Sequence, residues 1–102
     1  MDQQTMTAIS VANQRKAAHS LINTYPLVET IRFTDEGRTV GLGGSLWGAG
    51  AIVTVGGKEY REVLGFDPGT SYGEGLPDAP LDAVPGPVTV IYSDGTSEVL
   101  NG

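Results

Sequence analysis

From Leu46 to Phe66 the chain reads LWGAGAIVTVGGKEYREVLGF, and apolar positions alternate with small or polar ones on both sides of Gly56-Gly57. A period of two means strand, because successive side chains point to opposite faces. A Gly-Gly pair between two such runs predicts a two-residue hairpin, since both turn residues can take positive φ without a Cβ clash. The loop length then sets the register. Val55 faces Lys58, Val53 faces Tyr60, Ala51 faces Glu62, Ala49 faces Leu64 and Trp47 faces Phe66. Trp47, Val53, Tyr60, Leu64 and Phe66 assign this face to the core, and Ala49 and Ala51 leave a trough that a helix can approach. The other face carries Gly48, Gly50, Ile52, Thr54, Glu59, Arg61, Val63 and Gly65.

Glu62 falls in the apolar row, where an unpaired carboxylate is costly. Three placements are open: an edge position that reaches water, a buried pair with Arg15, Lys16 or His19, or a one-residue register slip or bulge.

Residues 1–24 predict a helix, with Asp2 or Thr5 as its cap and Pro26 beyond its end. Its first residues are expected to fray. Ala8, Val11, Ala18, Leu21 and Ile22 form its apolar side, which Gln14 and Arg15 interrupt. Leu27 to Thr34 predicts a strand with Leu27, Glu29, Ile31 and Phe33 on one face and Val28, Thr30, Arg32 and Thr34 on the other. Asp35-Glu36-Gly37 is a turn by composition, Arg38 to Leu42 a short return strand, and Gly41 to Ser45 a loose connection. Asp67 to Pro87 holds five of the six prolines and four acids. This loop is longer than the ~12–15 residues usual without secondary structure, and Leu76, Leu81 and Val84 are expected to pin it as a cover. Val88–Tyr92 and Thr96–Leu100 predict a second hairpin about a type I′ turn at Asp94-Gly95, with Val88, Val90 and Tyr92 sharing a face with Val99. The sum is a single α+β domain spanning 1–102, an N-terminal helix on a four- or five-stranded antiparallel sheet.

Charge narrows the partners. Twelve acids against six bases give a net charge of −6, which argues against nucleic acid, whose binding rests on Lys and Arg neutralising phosphates. It argues equally against an anionic membrane surface. The absence of cysteine excludes disulfides and thiolate metal sites. No run approaches the ~18 apolar residues of a transmembrane helix, and no signal-peptide pattern opens the chain, so an exported form would already have lost its leader. Few lysines among many glycines and threonines favour an extracellular or cell-envelope location over the cytoplasm.

The sequence carries few motifs that point to chemistry. Gly41 to Gly48 (GLGGSLWG) lacks the Gly-Lys-Ser/Thr of a phosphate loop, and it leads into a hairpin rather than a helix. No cofactor is expected. His19 is the sole histidine, with no HExxH pattern, so no metal is expected. Asp67, Glu74, Asp78 and Asp82 read as a solvated acidic loop or a weak calcium site. Trp47, Tyr60, Tyr72 and Tyr92 read as core or core rim, with Tyr72 the most exposed. Two functions follow. The first is a non-catalytic module that binds a protein or a small ligand through Gly48, Gly50, Ile52 and Arg61 or through the 67–87 loop with Tyr72. The bare Gly48–Gly50 strip would also let a second copy approach, giving a homodimer. The second is a small hydrolase or lyase with a helix–sheet pocket, using Glu62 as base near His19 or Tyr60.

The order of helix, strand, hairpin, loop and hairpin resembles the cystatin-like arrangement, a helix cradled by an antiparallel sheet. The turns read Val53-Thr-Val-Gly-Gly57 and Ser93-Asp-Gly-Thr96, without the Gln-x-Val-x-Gly and Pro-Trp of the cystatin inhibitors. The resemblance therefore implies a fold and no protease inhibition. The stretch WGAGAIVTVGGKEYREVLGF also resembles small exported proteins of Gram-positive bacteria in which a short helix precedes a sheet, which implies export and no particular activity.

Overall fold

The computed structural model describes residues 3–40, 46–66 and 72–101. The Gly41–Ser45 connection, Asp2 and Asp67 lie outside these. The elements are α1 (Gln3–Thr24), β1 (Val28–Phe33), β2 (Arg38–Val40), β3 (Leu46–Val55), β4 (Lys58–Leu64), β5 (Tyr72–Gly73), β6 (Pro87–Ile91) and β7 (Ser97–Asn101). The sheet runs β5-β4-β3-β1-β6-β7, with β2 paired to β3 off this path.

The central hairpin has the register its glycines dictate. Ala49 pairs with Leu64, Val53 with Tyr60 and Val55 with Lys58. Gly56 and Gly57 both have positive φ, 60° and 78°, a conformation that costs a Cβ-bearing residue about 1–2 kcal/mol. Ala49, Ala51, Val53, Val55 and Leu64 are buried as expected. Trp47 and Phe66 lie past the paired region with their rings stacked, centroids 4.9 Å apart, and Lys16 Nζ sits 4.7 Å from the Phe66 centroid.

The helix covers this face with Ala17, Ala18, Leu21 and Ile22, all buried. Alanines on helix and sheet alike let the two layers approach closely. Full burial of a residue such as Leu21 or Ile22 is worth about 1.5–3 kcal/mol. Gln14 lies in the same stripe, three residues after Val11 and four before Ala18, and it is fully buried. Its Nε2 donates to Ser93 Oγ at 2.7 Å and to the Glu36 carbonyl at 3.3 Å, and its Oε1 accepts the Ser93 N–H at 3.0 Å. The residue that breaks the apolar pattern is thus the pin between the helix and two loops at one end of the sheet.

The sheet is mixed, not purely antiparallel. β1 pairs with β6 in parallel, Ile31 opposite Val90, while β3, β4, β5 and β7 pair antiparallel to their neighbours. The cause is the route of the chain after β5. Residues 74–86 carry it from one edge of the sheet past β4 and β3 to the free side of β1. A strand laid down after so long a crossover is not bound to the reversal that a tight hairpin imposes.

Two features of β1 differ from simple alternation. Val28 pairs with Val55 but Thr30 with Thr54, so Glu29 is an extra, bulged residue. The bulge places Val28 in the core with Ile31 and Phe33 and leaves Leu27 exposed, the reverse of the expected assignment. Glu29 Oε1 accepts the Gly57 N–H at 3.0 Å, tying the bulge to the hairpin turn. Asp35-Glu36-Gly37 does not send the chain back along β1 either. β2 continues in the direction of β1 beside the same strand, Phe33 opposite Ala51 and Arg38 opposite Gly48. Across the gap the Thr34 N–H donates to the Gly50 carbonyl at 2.9 Å and the Gly50 N–H to Asp35 Oδ2 at 3.1 Å. A side-chain carboxylate here stands in for a missing backbone acceptor. Gly37, at φ +87°, packs so close to the Trp47 indole that a Cβ would collide with it.

The second hairpin carries a further correction. Gly95 has φ +90°, while no described residue other than glycine has positive φ, so Asp94-Gly95 is not a type I′ turn. Ser93, Asp94 and Gly95 form a three-residue loop closed by Tyr92 N–H to the Thr96 carbonyl at 2.8 Å and Gly95 N–H to the Tyr92 carbonyl at 3.0 Å. The register moves by one. Val88 pairs with Leu100 and Thr89 with Val99, so Leu100 is buried with Val88, Val90 and Tyr92, and Val99 is 58% exposed on the far face. In the crossover, Leu76 packs against the core, whereas Leu81 and Val84 are exposed rather than pinned.

Candidate interaction surface

The helix covers one face of the sheet and leaves the other to be built from strand registers. Arg61 of β4, Ile52 of β3, Arg32 of β1, Ile91 of β6 and Ser97 of β7 fall in one row across the strands. The next row holds Glu59, Thr54, Thr30, Thr89 and Val99. Neighbours within a row are about 4.8 Å apart in the hydrogen-bonding direction. Arg32 and Arg61 are exposed, Ile52 is half-buried between them, and Ile91 is half-buried on the other side of Arg32. Isoleucine methyls alternating with guanidiniums, bordered by threonine hydroxyls, give a surface that offers apolar contact and positive charge together. Three of the chain's six bases stand on this face, Arg32 and Arg61 in the row and Arg38 opposite Gly48.

The expected surface residues divide. Ile52 and Arg61 are cross-strand neighbours on this face. Gly48 and Gly50 lie on it too, but the space a side chain would take there is already filled. A Cβ at Gly48 would stand 3.0 Å from Val63 Cγ1, and one at Gly50 would stand 2.7 Å from Asp35 Oδ2 and 2.9 Å from Thr34 Oγ1. These glycines serve the protein's own packing. Tyr72 pairs with Val63 at the β4 edge, its side chain outside the described residues. Arg32 and Ile91 were missed as surface partners because the β1–β3 pairing brings in the first and the parallel β1–β6 pairing the second, and no local hairpin sets either.

Glu62 follows none of its three expected placements. β5 covers β4, so Glu62 is not at an edge, and it is buried without a bulge. Its Oε2 accepts the Gly75 N–H at 3.3 Å, and the oxygen lies so near Gly73 that a Cβ there would collide with it. The backbone of the 73–75 segment thus occupies the approach to this oxygen. Arg15 instead pairs with Glu98, Nε to Oε1 at 2.8 Å, and Tyr92 Oη donates to the same carboxylate oxygen. The Tyr92 bond, then that of Arg15, holds the Glu98 carboxyl below its ordinary range. Burial first, and then the bond to Glu98, pushes the Tyr92 phenol above its own. His19, half-buried one turn after Arg15, adds to the positive field at Glu98. This cluster lashes the helix to the second hairpin.

Of the loop acids, Asp78 lines an open groove of about 570 Å³ with Tyr25, Pro26, Pro80 and Leu81, and Glu74 Oε2 accepts the Arg61 N–H at 2.6 Å. Among the described residues no three His, Asp or Glu side chains are placed to hold a metal ion, and no helix is long and apolar enough to cross a membrane. No protein-family model, curated protein or solved structure matches this chain.

Proposed function

We propose that this protein is a non-catalytic interaction module, working outside the cell or at its envelope, that binds another protein through the outer face of its sheet. The observation that carries the reading is the row Arg61–Ile52–Arg32–Ile91, assembled from four adjacent strands. The strand pairing fixes the spacing of the two arginine stems, and Arg presents a planar fork suited to carboxylates. The spread of these side chains over four adjacent strands favours a protein partner carrying acidic and apolar side chains over a small ligand, which requires a concave site.

A photoreactive residue at position 52 tests this in the producing cell. It should capture a partner that the same residue at exposed Asn23, at the far end of the helix, does not. Arg61→Glu in the position-52 variant should abolish the capture with the melting temperature preserved. Equal capture from positions 52 and 23 would sink the reading.

A further inference from the structure

Among the described residues β7 ends the sheet, and the second hairpin's loop determines which of its backbone groups face outward. Tyr92 and Thr96 form a hydrogen-bonded pair. Bonded and non-bonded pairs alternate along an antiparallel ladder. Glu98 and Leu100 therefore direct their amides and carbonyls to Val90 and Val88, and Ser97, Val99 and Asn101 direct theirs away from β6. Pro87, which has no N–H, lies opposite Asn101 at a non-bonded position, as this alternation requires. Exposed edges are commonly blunted by proline, lysine or an inward charge. β7 carries no proline or lysine, and its one inward charge, Glu98, is already satisfied by Arg15 and Tyr92.

We propose that β7 pairs antiparallel with β7 of a second copy, about a two-fold axis at Val99. Chemistry selects the register. An axis at Glu98 sets carboxylate against carboxylate, a destabilising cross-strand pair. An axis at Leu100 pairs only Val99 with Asn101 among the outward residues of β7. An axis at Val99 pairs Val99 with Val99 and Ser97 with Asn101, so every outward backbone group is used, and it sets Glu98 opposite Leu100. The exposed Val99 side chain gains an apolar neighbour. The contact is isologous, as closed dimers require, and it makes the Thr54–Thr30–Thr89–Val99 row continuous across two copies. It stands apart from the outer-face reading, since a monomer can still bind through its Arg–Ile row.

The chain has no cysteine, so single-cysteine variants give an unambiguous test. Light scattering over a concentration series should show the mass rising from the 10.6 kDa of one chain towards twice that value. Bonded antiparallel pairs have Cα atoms ~5.5 Å apart, within disulfide reach. Val99→Cys should therefore oxidise to a covalent dimer, while Ser97→Cys should not. Val99→Pro removes only an outward N–H, which an edge strand tolerates; it should leave the circular dichroism spectrum unchanged and return the mass to that of a monomer. A wild-type mass of one chain up to the solubility limit overturns the proposal, as does equal cross-linking at positions 97 and 99.

Discussion

The two hairpins have nearly the same turn chemistry and different registers. In the first, Gly56 and Gly57 both take positive φ and the loop has two residues. In the second, Asp94 keeps negative φ and only Gly95 turns left-handed, so the loop takes in Ser93. Asp94 has a reason to stay where it is. Its Oδ1 accepts the Thr96 N–H at 2.9 Å and the Thr96 hydroxyl at 2.6 Å, bonds that favour the tighter local turn. Gln14 grips Ser93 from the helix as well. One residue of loop length then decides the fate of a strand, because a slip by one sends every side chain to the other face. A glycine pair fixes its own register, whereas Asp-Gly leaves the choice to the neighbours that bond it.

The strongest way to break this comparison is to ask which residue of β7 is in the core. Leu100→Ala should cost about 2–5 kcal/mol, as for other buried leucines. Val99→Ala should stay within about 0.5 kcal/mol, as for other surface changes. Urea denaturation at low protein concentration, where self-association does not enter, measures both. A larger loss at Val99 than at Leu100 would restore the two-residue turn.

Gln14 gives the next largest effect. Gln14→Ala leaves the half-buried Ser93 N–H without its acceptor and removes a donor from Ser93 Oγ, at a cost of about 1–3 kcal/mol. For a chain of this size each kcal/mol lowers the melting temperature by roughly 4–8 °C. The damage should be local. Hydrogen exchange should accelerate in residues 88–100 before it does in the Gly56-Gly57 hairpin, which Gln14 does not touch. Uniform acceleration would mean that the helix, and not the 92–96 loop, is what Gln14 supports.

What could be read in the sequence follows the range of the forces involved. The β3–β4 register is written into two adjacent glycines, and with it the core face and the Ile52–Arg61 pair. The helix is legible from its spacing, and the same spacing places Gln14 on the buried stripe, although what it would bond there is decided by residues 21 to 79 positions away. The bulge at Glu29 has no local signal, because alternation through Leu27-Val28-Glu29 is equally good in either phase. The parallel β1–β6 pairing is further out of reach. It depends on where residues 74–86 cross the molecule, and with it goes the join of Arg32 to Ile91. Half of the candidate surface was therefore visible in one hairpin, and the other half required the topology.

The smallest effect separates the hairpins by pH. The first turn, Gly56-Gly57, carries no titratable side chain of its own, whereas the second strand pair holds Asp94, Glu98 and Tyr92. The Glu98 carboxyl is held below its ordinary 4.5, mainly by the Tyr92 hydroxyl and then by Arg15, and Asp94 below its ordinary 3.8 by Thr96. A depressed folded value means stability that is present above the ordinary one and lost as pH falls through the folded one. The raised Tyr92 phenol acts in the opposite direction: its contribution is present below 10 and is lost as pH climbs towards the folded value. Glu98→Gln should therefore lower the melting temperature slightly at pH 7, by less than either change above because the ion pair is exposed to water. Wild type and variant should converge as the pH drops below 4.5. A gap that stays constant with pH would assign the loss to packing of the side chain and leave the carboxylate with no part in holding the helix to the second hairpin.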